Sequence, residues 1–96
     1  MMPVYLSQVA YDQLHELLDY LEVNWSSTVS DNFLNKLERS MEVISSMPYS
    51  FPAADKFPGL RKCVLTSQTI AYYRIDVVRK EVEILAVIDS RRDLRF

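Results

Sequence analysis

Five cations stand in or beside segments that read as strands: Arg61, Lys62, Arg74, Arg91 and Arg92. With them lie Asp89, at the end of the apolar run "AVID", and the adjacent tyrosines Tyr72 and Tyr73. Arginines gathered on one surface can clamp phosphates or carboxylates through their planar donor fork. Cutting RNA without a metal would demand more than a clamp. It needs a base for the 2′-hydroxyl, an acid for the leaving oxygen, and cations for the charge that builds on phosphorus. Arg61, Arg74 and Arg91 would serve as the clamp, and Asp89 is the available proton-transfer group. Its neighbour Arg91 should keep that carboxyl ionised at neutral pH, because an adjacent cation favours the carboxylate. It could act as a weak base, yet no matching acid is evident.

The other chemistry-bearing residues point to structure. His15 is the only histidine, and it sits among Asp12, Glu16, Asp19 and Glu22 on the polar side of a helical pattern. No second ligand or nucleophile has matching spacing, so a solvated helix residue is expected. Cys63 is the only cysteine. That excludes an intramolecular disulfide and a Cys-rich zinc site, and "LRKCVL" suggests a buried apolar thiol. No cofactor and no metal are expected.

Charge is divided along the chain. The net charge is −2, but residues 1–55 carry two basic groups against eight acids, a balance of −6. Residues 56–96 carry nine basic groups against five acids, a balance of +4. An uneven split of this kind points to an anionic partner for the basic half, unless folding mixes the two halves. The acidic total fits poorly with ribosomal RNA or messenger RNA, whose binding is dominated by phosphate neutralisation. A hydrophobic fraction of 49% and a charged fraction of 25% are those of a globular protein. The apolar runs are too short to span a bilayer, and the start "MMPVYLSQVAYDQ" lacks a signal-peptide pattern, so a cytoplasmic chain with no membrane partner is expected.

The elements that must position these residues follow from periodicity. "PVYLS" reads as a short first strand, with Ser7 as the N-cap of the helix after it. Leu14, Leu17, Leu18 and Leu21 recur at helical spacing, as do Phe33, Leu37, Met41 and Ile44 in a second helix that Pro48 stops. A few polar residues separate the two, which predicts an antiparallel helical hairpin with Trp25 packed at its bend. "PYSFPAADKFPG" is a loop. "LRKCVL", "TIAYYRIDV" and "EVEILAVID" are β-branched and aromatic, with links short enough for hairpin turns. Strict alternation in the last strand would place Val82, Ile84, Ala86 and Ile88 on one face, and Leu85 and Val87 on the other with Glu83 and Asp89. One face can pack on the helices, while the other is half apolar and suits a protein partner. One of Tyr72 and Tyr73 must face outward, where it could stack on a base or cover the sheet. Arg74 shares the face of Tyr72 and would either join Arg61 in a cationic patch or pair across strands with Glu81 or Glu83. The order is β-α-α-β-β-β in a single domain over residues 1–96. The fold class is α+β, an antiparallel helical hairpin packed on a small, mainly antiparallel sheet.

With its elements in this order, the chain resembles the RelE/ParE superfamily of small toxins from type II toxin–antitoxin pairs. The resemblance is carried by "VYLSQVAYDQLHELLDYL", "LEVNW", "FLNKLERSMEVISSMP", "KFPGLRK", "IAYYRID" and "VEILAVIDSRRD". The two long helices, Trp25 and "FPGLR" look closer to the ParE branch. The resemblance implies the same fold and a cognate antitoxin that wraps the sheet and hairpin in a hetero-oligomer. It also implies one of two activities. ParE-like members inhibit DNA gyrase without being nucleases, whereas RelE-like members cut messenger RNA on the ribosome. Nuclease members commonly place a histidine or tyrosine near the end of the last strand, where this sequence has Asp89 and Ser90. The residues therefore favour a gyrase-binding toxin, with Arg61, Lys62, Tyr72, Arg74, Leu85, Val87, Arg91 and Arg92 as the target- or antitoxin-binding set. The alternative is a ribosome-dependent endonuclease. A third reading is a non-toxic relative that only binds its antitoxin, since many relatives continue past the position where this sequence stops at Phe96.

Overall fold

The structure, a computed structural model, describes residues 1–91. The elements run β1 (Val4–Leu6), α1 (Gln8–Asn24), α2 (Ser27–Ser46), β2 (Arg61–Val64), β3 (Thr69–Asp76) and β4 (Glu81–Asp89). The expected α+β order is observed, as a helical hairpin on a four-stranded mixed sheet.

Each boundary has a local cause. The Ser7 hydroxyl accepts from the Ala10 amide at 3.1 Å and so caps the start of α1. Ser26 does the same for α2 by accepting from Val29 at 3.1 Å. The second helix ends at Ser46 with Met47 as its cap, because Pro48 disfavours helical geometry in the residue before it. Ala10, Leu14, Leu17 and Leu21 of α1 and Phe33, Leu37 and Ile44 of α2 are buried, which leaves Asp12, Glu16, Asp19 and Glu22 in solvent.

The strand order is β1-β4-β3-β2. The first strand joins β4 in parallel, with Val4 opposite Val82 and Leu6 opposite Ile84. The remaining pairs are antiparallel. The helices cover one face of the sheet, where Cys63, Leu65, Ala71, Tyr73, Val82, Ile84 and Val87 complete a core shared with both helices. Beyond Leu6, the edge of β4 is closed by α1: the Gln13 side-chain oxygen accepts from the Val87 amide at 2.8 Å, and Ser7 donates to the Leu85 carbonyl at 3.1 Å. The far edge, β2, is partly blunted by the preceding loop, where the Lys62 amide donates to the Pro52 carbonyl at 3.0 Å.

That loop enters β2 through Phe57-Pro58-Gly59-Leu60, closed by the Leu60 amide on the Phe57 carbonyl at 3.1 Å. Pro58 and Gly59 occupy the two central positions, and Gly59 takes the φ of +83° that such a turn requires there. The β3–β4 turn is held by Asp76, whose carboxylate accepts from the Val78 and Arg79 amides.

Strict alternation along β4 does not hold. Tyr72 pairs with Ala86 but Tyr73 pairs with Ile84, so Leu85 is an extra residue without a partner on β3. This β-bulge shifts the side-chain alternation by one. Val82 and Ile84 face the helices as expected, but after the bulge Val87 and Asp89 face inward and Ala86 and Ile88 face outward. Val87 is a core residue at 3% exposure. Its expected place on the outer face is corrected.

Candidate functional site

The outer face of the sheet divides into two halves. Residues paired across strands share a face, so Tyr5, Glu83 and Arg74 form one row and Asp76 and Glu81 another. Toward the other end lie Lys62 beside Tyr72, and Val64 beside Ile70 and Ile88. The first half is polar and the second is largely apolar, with Val64 well exposed.

Arg74 donates to Glu83 at 2.8 Å, the cross-strand pair that alternation allowed. It does not join Arg61. Arg61 pairs with Tyr73 and so belongs to the helix-facing side of β2. Its guanidinium donates to the Phe51 carbonyl at 2.6 Å and lies 5.1 Å from the centre of the Tyr49 ring. The residue therefore fastens the loop after α2 to the sheet, and an Arg61–Arg74 patch on one face is excluded.

The two tyrosines separate as adjacent strand residues must. Tyr73 is fully buried; its hydroxyl donates to the Pro48 carbonyl at 2.6 Å, and its ring meets Phe51 edge-on. Burial pushes its pKa up to about 12, so it is a poor proton donor at neutral pH. Tyr72 lies on the outer face, yet Phe57 covers it edge-on at 4.9 Å and leaves it 8% exposed. Its ring is not presented for stacking.

At the end of β4 the bulge brings a carboxylate inside. Asp89 is 3% exposed and accepts from the Thr69 hydroxyl, from the Arg91 amide at 2.8 Å, and from Arg91 Nε and Nη2 at 3.0 and 2.6 Å. Burial pushes its pKa up, but hydrogen bonds from the Arg91 side chain, Thr69 and the Arg91 backbone outweigh burial and hold it below the usual carboxylate range. A carboxylate so held is a poor base and a worse acid. Arg91 in turn lies 5.7 Å from the centre of the Trp25 ring. Trp25 is more exposed than a residue closing the hairpin would be, at 55%, and it lies beside Arg91 and the tilted ring of Tyr20. Arg92 lies outside the described residues.

Leu85 is half-buried at the bulge. Cys63 is a buried free thiol whose pKa burial raises. His15 is exposed beside Tyr11. Among the described residues no cluster of potential metal ligands occurs, and no helix is long and apolar enough to cross a membrane.

A family model described as the ParE toxin of the type II toxin–antitoxin system parDE matches residues 4–94. The chain belongs to the ParE toxin family. Among solved structures, this ParE-family chain is similar to one described as the chromosomal ParDE toxin–antitoxin system from P. aeruginosa, with a TM-score of 0.78 and 18% identity over 93% of this chain and 96% of that one. It is also similar to a YoeB/ParE toxin from Agrobacterium tumefaciens, with a TM-score of 0.67 and 11% identity over 92% and 98% of the two chains. At those identities the two structures establish the shared fold. No curated protein matches the sequence. Membership of a toxin–antitoxin family implies an antitoxin as the partner of this ParE toxin.

Proposed function

We propose that this ParE-family toxin acts in the cytoplasm by binding DNA gyrase, without cutting nucleic acid, and is neutralised by a cognate antitoxin in a hetero-oligomer. The observation that carries the non-nuclease part is the state of Asp89. The acid–base group that cleavage would call on is buried, ionised and saturated with hydrogen bonds. Arg61 and Arg74, the cations that would flank a scissile phosphate, stand on opposite faces of the sheet. Gyrase as the target follows the family, whose ParE branch acts on that enzyme. The antitoxin's resting place is the apolar half of the outer face, around Val64, Ile70, Ile88 and the Phe57-covered Tyr72, where an extended or helical segment would bury apolar area.

Induction of the chain alone and together with the small open reading frame beside its gene tests the whole reading. Growth arrest in the first case, growth in the second, inhibition of gyrase supercoiling by the purified protein and intact message by primer extension are expected. Codon-positioned cuts in message, abolished by Arg74→Ala, would replace this function with ribosome-dependent cleavage. Equal growth in both cultures would replace it with a non-toxic, antitoxin-binding role.

A further inference from the structure

A second surface lies away from the outer face of the sheet, between the start of α2 and the β2–β3 turn. It is an open groove of about 210 Å³. Leu21, Val29 and Phe33 make its apolar floor, with Lys36, Gln68 and Arg91 at its margin. Among the described residues no acidic side chain lines it. Lys36 is exposed and has no ion-pair partner among the described residues. Arg91 is paired, but the pair is asymmetric: the Asp89 side chain is 3% exposed and that of Arg91 27%. The guanidinium is therefore the member that an approaching group meets. Asp89 and Thr69 lock its orientation, and Trp25 stands beside it with more than half of its surface in solvent.

We propose that this groove is a docking site for a segment of a partner protein that carries a bulky apolar side chain next to a carboxylate. The apolar side chain would displace water from the floor, and the carboxylate would lie between Lys36 and Arg91. Charge complementarity selects that occupant over a basic or purely apolar one, because both charged groups lining the groove among the described residues, Lys36 and Arg91, are cations. An exposed tryptophan beside an arginine that Asp89 holds in place, at the edge of an apolar depression, has the composition of an interface anchor. Since Asp89 fixes the guanidinium before a partner arrives, little side-chain freedom is lost on binding. The proposal goes beyond the toxin reading, on which it rests only for the expectation of a protein partner.

The test is titration of the isotopically labelled full chain with two capped tetrapeptides, Glu-Leu-Phe-Glu and Lys-Leu-Phe-Lys, followed by amide and indole chemical shifts. The acidic peptide is expected to move Val29, Lys36, Gln68 and the Trp25 indole, and to bind about tenfold more tightly than the basic one. Lys36→Glu, at an exposed position that the fold does not depend on, is expected to reverse that preference while the other resonances stay in place. Equal binding of the two peptides, shifts confined to another surface, or no shift at millimolar peptide would overturn the proposal. So would a gain in peptide affinity on Leu94→Ser/Phe96→Ser, which would make this chain's own C-terminus the occupant. Groove shifts that grow with protein concentration alone would assign the surface to a second copy and overturn it as well. Charge-selective binding by a chain that fails to arrest growth would leave this proposal standing and remove the toxin reading.

Discussion

Two arginine–carboxylate pairs whose carboxylates stand on the same strand, Arg74–Glu83 and Arg91–Asp89, have the same chemistry and opposite settings. Glu83 and Asp89 are six residues apart, so uninterrupted alternation would put both on one face. The bulge at Leu85 separates them. Glu83 stays on the outer face with a half-exposed Arg74, where water and salt compete for both partners. Asp89 turns inward, loses its water, and is stabilised only because Thr69 and Arg91 supply four hydrogen bonds. One pair decorates the surface, while the other fixes the end of the sheet and aims a guanidinium at Trp25.

This contrast can be broken in order of expected effect. Val87→Asp should be the most damaging change, because the bulge makes position 87 part of the core; a loss of about 4 kcal/mol or more is expected in urea unfolding. Ile88→Asp, one residue on and facing outward, should cost under about 1 kcal/mol, and the reverse ranking would show that the bulge is misplaced. Asp89→Ala should come next. It strands the Thr69 hydroxyl and the half-buried Arg91, a loss of about 2–3 kcal/mol, with a change in Trp25 fluorescence that Glu83→Ala does not produce.

Acid then sharpens the difference. The folded-state pKa of Asp89 is below its unfolded value of about 3.9. The unfolded chain therefore takes up the proton first as pH falls. The stabilisation from Asp89 is complete above about pH 5 and disappears as pH drops from about 4 through the folded pKa. Asp89→Asn should flatten this part of the acid-unfolding profile, and an unchanged profile would contradict the buried pair. Arg74→Ala is the smallest effect, with a thermal midpoint that does not move and no added sensitivity to salt.

Much of this was legible in the residues. The leucine spacing, Ser7, Pro48 and the β-branched runs fix the element order because each acts within a few residues of itself. The bulge left no trace, since Leu85, Ala86 and Val87 are all apolar and a shift of one preserves their pattern. For that reason the inward turn of Val87 and Asp89 was out of reach. Long-range fastenings were hidden for a different reason. The donation of Arg61 to the Phe51 carbonyl, the cover of Phe57 on Tyr72 and the approach of Arg91 to Trp25 join positions by tertiary packing, which no local spacing encodes. Of the candidate residues, Lys62, Tyr72, Arg74 and Leu85 lie on or near the outer face, while Arg61 and Val87 serve the fold. Arg91 is at a margin that the sequence did not disclose.

The parallel pairing of β1 with β4 also governs when the protein can become whole. Val4 meets Val82, so β1, made early, has its partner in β4, made about 75 residues later. Until β4 is available, β1 has no sheet to join, and the Ser7 hydroxyl lacks the Leu85 carbonyl that it serves. A contact of such sequence separation closes late. The helical hairpin can form while the chain is still growing, but the finished surface exists only once β4 has been made and has joined β1. A newly made chain therefore passes through a period in which it is present and not yet competent to bind.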